Sequence, residues 1–135
     1  MKYLFVFIVL FSCATRRLPP ACPEATETTT LSKKAAASIQ GKVSSFLTDA
    51  QISPERSRDS ELTLWRFKNM PEDSVYYTMG LREGDAITKT NLGEQKSLMN
   101  LISDLSGVAT GVTNCLYVTA KDQSQRVIRV ELKKD

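Results

Sequence analysis

Residues 79–87 read Met79-Gly80-Leu81-Arg82-Glu83-Gly84-Asp85-Ala86-Ile87, and the fold of the chain turns on them. Gly80 fits the end of a helix, because glycine accepts the left-handed backbone that stops one. Gly84 permits a second turn with positive φ, and Asp85 leads into a short strand running from Ile87 to Thr90. Upstream, Pro71-Glu72-Asp73-Ser74 reads as a helix start, with Val75, Tyr76 and Met79 as its apolar contacts. Before it lies the strongest strand signal, ELTLWRFK over 61–68. There Leu62 and Leu64 share one face and Trp65 and Phe67 the other, the pattern of a strand covered on both sides.

Downstream, Asn91-Leu92-Gly93 is a turn. Residues 94–105 then carry Leu98, Leu101, Ile102 and Leu105 at i, i+3, i+4 and i+7, the clearest helix in the chain. Residues 107–114 read as a loop. Strands follow over 115–120 and 126–132, and in the second Ile128, Val130 and Leu132 alternate with Val127, Arg129 and Glu131. Residues 31–47 hold Leu31, Ala35, Ile39, Val43, Phe46 and Leu47 at helical spacing. Ser32 is a plausible cap there, and Gly41 weakens the helix by about 1 kcal/mol. Residues 52–60 are polar, contain Pro54, and read as a connection or a weak edge strand. The class is α+β.

From residue 61 the order is strand, short helix, Gly-Leu-Arg-Glu-Gly-Asp turn, strand, longer helix, strand, strand. With those residues this resembles a bacterial PDZ domain, and is most similar to that of the inner-membrane component C of type II secretion. The resemblance implies a small, partly closed β-barrel or sandwich with two helices, preceded by the amphipathic helix. Gly80, Leu81, Gly84 and Asp85 are its turn motif. It also implies a groove in which a partner peptide adds as a strand to a sheet edge. Mapped onto this chain, Leu64, Trp65, Arg66, Phe67 and Lys68 supply the strand, and Gln95, Leu98, Met99 and Ile102 the helix face. Each of these residues also has a plain reading, as core or as solvated surface. Leu98 and Ile102 fit the core best. Met99 breaks the apolar stripe and suits a groove. Two departures stand out. The turn Asn91-Leu92-Gly93 is one residue longer than the family's Asn-Gly. Leu62-Thr63-Leu64-Trp65 has no glycine where the family presents backbone amides to a peptide carboxylate. The alternative is therefore a structural or inhibitory lipoprotein whose groove is closed, with a protease-associated adaptor ranked behind it.

The chain begins MKYLFVFIVLFSCATRR. Its apolar run is too short to span a bilayer and has the proportions of a signal peptide. Leu10-Phe11-Ser12-Cys13 resembles the bacterial lipobox, which implies cleavage before Cys13 and its acylation, palmitate included. By the sorting rule of some bacteria, Ala14 after the cysteine favours the outer membrane over the inner, facing the periplasm. The expected organisation is a signal peptide at 1–12, a lipidated flexible tether at 13–30, a helix and connection at 31–60, and a PDZ-like domain at 61–134. Cys22 lies in that tether. An oxidising envelope permits a bridge to Cys115, but a buried free thiol at Cys115 is the favoured expectation.

The 135 residues include three cysteines and no histidine, and carry a formal net charge of +3. Without histidine, Ser-His-Asp and Cys-His catalysis and histidine metal sites are excluded. No basic block points to nucleic acid. Ser32-Lys33 could imitate a Ser-Lys dyad, but it sits on a surface helix. The expectation is a non-enzymatic binding module without cofactor or small-molecule substrate. Its partner is an envelope protein or peptide, in secretion or assembly, and it meets the membrane through its lipid.

Overall fold

The computed structural model describes residues 22–41, 43–56 and 62–133. The proposed signal peptide, Cys13 and the tether up to residue 21 lie outside these residues. A seven-stranded sheet organises the fold. In chain order the elements are β1 (Glu27–Leu31), α1 (Lys33–Gly41), a 3-10 turn (Val43–Leu47), β2 (Gln51–Arg56), β3 (Thr63–Lys68), α2 (Val75–Thr78), β4 (Ala86–Thr90), β5 (Gly93–Glu94), α3 (Leu98–Ser106), a second 3-10 turn (Gly107–Thr110), β6 (Cys115–Thr119) and β7 (Gln125–Leu132). The strands run in the order β1-β7-β6-β4-β3-β2, and β5 adds to β4. Only the β1–β7 pairing is parallel. The α+β class is thus as read from the sequence.

One face of the sheet forms the core. Trp65, Phe67, Ile87, Leu116, Val118, Ile128 and Val130 point into it. They meet Ile39 of α1, Phe46 of the first 3-10 turn, Tyr76 of α2, and Leu101, Ile102 and Leu105 of α3. Three rings centre this cluster: Tyr76 lies 4.8 Å from Phe67, edge-on, and 5.6 Å from Phe46. The Tyr76 hydroxyl donates to the carbonyl of Phe46, so the buried phenol is satisfied. Helix starts follow local chemistry. Ser74 and Ser97 accept from the amides of Tyr77 and Asn100 at α2 and α3. Ser32 accepts from Ala35 N–H at 3.0 Å and caps α1, an ordinary structural role for a residue that could imitate a dyad.

Three expectations are corrected. The tether expected up to residue 30 ends earlier, because residues 27–31 form β1 beside β7. Thr28, Thr29 and Thr30 are β-branched and suit a strand, but their polarity hides the alternation. Likewise, Cys115 is not a free thiol. It is bonded to Cys22, with Cα atoms 5.5 Å apart across a separation of 93 positions. Residues 31–47 divide into α1 and a 3-10 turn instead of one helix.

Candidate functional site

The turn at residues 80–85 is built as a structural joint. Gly80 has φ +105, and a Cβ there would stand 2.5 Å from Thr29 Oγ1 of β1. Gly84 has φ +85 and would press a Cβ to 2.9 Å from that of Lys121. Both positions need glycine for conformation and for space. Leu81 is fully buried. Asp85 accepts from the amide of Arg82 at 2.8 Å and from the guanidinium of Arg126. Arg126 also grips both oxygens of Glu27, at 3.0 and 2.6 Å, and donates to the Gly80 carbonyl at 2.9 Å. Its guanidinium therefore joins β7, β1 and the turn. These bonds hold the Glu27 carboxyl below the usual glutamate range.

The residues expected to line one groove are divided among three places. Trp65 and Phe67 point into the core, where Leu98 and Ile102 also pack. Trp65 Nε1 donates to the carbonyl of Gln95 at 2.8 Å. Gln95 is itself buried, and its Nε2 donates to Asp104 at 2.7 Å and to Gly93 O at 3.1 Å. Leu64 and Arg66 lie on the opposite sheet face, and Lys68 is exposed at the strand's end. Met99 stands in solvent, 67% exposed. The reason is strand order. β3 pairs with β4 along one edge and with β2 along the other, so no peptide can add to it. The assignment of 64–68 as the receiving strand is corrected accordingly.

Among the described residues the free edge on that side belongs to β2. Its hydrogen-bond polarity follows from Phe67, whose N–H donates to Asp85 O at 2.8 Å and whose C=O accepts from Gly84 N–H at 2.9 Å. Strand groups alternate in direction, so Leu64, Arg66 and Lys68 turn theirs to Glu55, Ser53 and Gln51. Ile52, Pro54 and Arg56 are left facing outward. Pro54 has no N–H, so this edge offers fewer donors than an ordinary one.

Beside that edge, on the face away from the helices, lies a cleft of about 670 Å³. Leu64, Arg66, Thr88 and Thr119 line it, with Arg56, Lys89 and Glu94 among the surrounding residues. Arg66 is 7% exposed. It donates to both oxygens of Glu55, at 3.1 and 2.9 Å, and to Gly84 O at 2.7 Å. The hydrogen bonds from Arg66 hold the Glu55 carboxyl below its ordinary value. The cleft therefore has an ordered, charge-compensated wall, and Lys89 stacks above the Tyr117 ring at 4.5 Å near its rim.

Glu55 and Arg56 were missed as candidates. The only sequence signal for them was the reading of 52–60 as a weak edge strand. Among the described residues no cluster of His, Cys, Asp or Glu could hold a metal ion, and no helix is long and apolar enough to cross a membrane. No protein-family model, curated protein or solved structure matches the chain.

Proposed function

We propose that this chain is a lipid-anchored protein of the bacterial cell envelope whose PDZ-like domain binds an envelope protein or peptide, in secretion or assembly, without catalysis. The lipobox at Cys13 supplies the anchor in this reading. The Gly-Leu-Arg-Glu-Gly-Asp turn supports PDZ-likeness, since each of its fixed positions does a definite structural job. The observation that carries partner binding is the open edge of β2 running beside the polar cleft. A polypeptide segment laid there would bond to the outward groups of Ile52 and Arg56 and set its side chains against Leu64, Lys89 and Glu94.

Pro54 favours a second reading, in which the domain is a spacer with a blunted edge. Photo-crosslinking in cells separates the two. A crosslinker at Arg56 should trap a defined protein, and one at the exposed Lys96 should not. Absence of any adduct specific to position 56 would leave the spacer reading standing.

A further inference from the structure

The disulfide fixes where the amino-terminal chain leaves the domain. Cys22 lies against the outward face of β6 and β7. Its carbonyl accepts from Arg129 Nη2 at 2.9 Å and from Ala25 N–H at 3.2 Å, which turns the chain back over the sheet. Cys115, its bonded partner, opens β6. Asn91 organises the same end of the sheet. Its Oδ1 accepts from the amides of Asn114 and Cys115 at 2.9 and 3.2 Å, and its Nδ2 donates to Val112 O at 3.1 Å. Asn91 thereby clamps the β4–β5 turn to the segment that precedes β6.

That clamp brings exposed apolar side chains to one end. Leu92 is 51% exposed and Val112 56%. Leu132, 37% exposed, ends β7 beside Gly111, whose added Cβ would meet its Cδ1 at 3.4 Å. Five large apolar side chains are exposed among the described residues, and three of them are these. The described residues leave each of them a third or more exposed. The charges on these strands are mixed: Lys89 pairs with Glu94 across β4 and β5, and Glu131 lies between Arg129 and Lys133 in sequence. Charge alone therefore does not select the occupant.

Chain length does. Cys13 and Cys22 are nine positions apart, and nine residues reach at most about 30 Å. A domain of this size has a radius of gyration of about 13 Å, so the reach only matches its width. With an acylated Cys13 in the headgroup layer, the Cys22 end must stay near the bilayer. Arg16 and Arg17 lie within the same nine-residue stretch.

We infer that the end carrying Leu92, Val112 and Leu132 docks on the bilayer to which Cys13 is anchored, with these side chains entering the interfacial layer. The inference rests on the lipoprotein reading above. Docking places the opposite end of the sheet, with the Gly84 turn and Lys121, farthest from the membrane. Apolar contact there adds to the hold of the acyl chains, and a covalent tether makes even weak contact persistent.

The test uses the full mature chain, purified from bacterial membranes and reconstituted in vesicles of phosphatidylethanolamine and phosphatidylglycerol with brominated acyl chains. Leu92→Trp, Val112→Trp and Lys121→Trp are compared. Trp65 is buried and serves as a constant background. Docking predicts loss of emission and a blue shift at 92 and 112, with no change at 121. Flotation with the vesicles but equal, or no, quenching at all three positions overturns docking and leaves the anchor intact. Failure of the unaltered chain to float overturns the anchor reading and docking with it.

Discussion

Arg126 and Asp85 form an ion pair across 41 positions of sequence, and the same guanidinium holds Glu27 and the Gly80 carbonyl. Asp85 is 3% exposed at its side chain, so its charge has little water to fall back on. Asp85→Asn should lower stability by about 2–3 kcal/mol, since Arg126 keeps Glu27 but loses the anionic partner of a buried pair. Urea unfolding measures this as a lower midpoint at unchanged slope. A midpoint equal to that of the unaltered chain would show the pair to be dispensable.

The two turn glycines give a paired comparison. Gly80→Ala must adopt φ +105 and drive a methyl group into Thr29. A loss of about 2 kcal/mol or more is expected. Gly41, at the end of α1, has nothing within 4 Å of an added Cβ, and Gly41→Ala should gain about 0.5–1 kcal/mol. Thermal unfolding of both variants reads the contrast, and the same sign in both would contradict the placement of β1 against the turn.

Removing the Cys22–Cys115 bridge with a double Cys→Ser variant should cost about 2–5 kcal/mol, because the bond closes a loop of 93 positions in the unfolded chain. Thiol titration of the unfolded protein should find two more free thiols after reduction than before it.

Acid sensitivity has a defined sign. Hydrogen bonds from Arg126 lower the Glu27 pKa, those from Arg66 lower that of Glu55, and the amides of Met70 and Asn69 lower that of Glu83, each from 4.5. A lowered folded value means that the contribution is complete above pH 4.5 and is lost as pH falls through the folded values. Stability should be level from neutral pH to about pH 5 and decline below it. Replacing Glu27 and Glu55 with glutamine should reduce that decline, and a midpoint that rises on acidification would refute the assignment.

The regular apolar spacing in 98–105 and the strands carrying Trp65, Phe67, Ile128 and Val130 were legible because their partners are oil and the pattern is local. β1 was not, since Glu27–Leu31 pairs in parallel with residues 101 positions away and carries threonine where a strand usually shows aliphatics. The groove assignment failed for a related reason. Alternation gives the faces of β3 but not its neighbours, and the pairing of Pro54 opposite Trp65 is a tertiary fact. The Gly-Asp turn was read correctly as a turn, whereas the bond between Asp85 and Arg126 depends on where β7 returns.

The cystine has a mechanical meaning. Any pull arriving along the chain from the amino-terminal side reaches Cys22 and passes through sulfur into β6, an inner strand flanked by β7 and β4. β1 lies outside that route. The parallel ladder between β1 and β7, which would otherwise be the first contact to shear, bears no load while the bond is intact. Reduction would move the point of traction from residue 115 to the edge of the sheet and let it peel strand by strand.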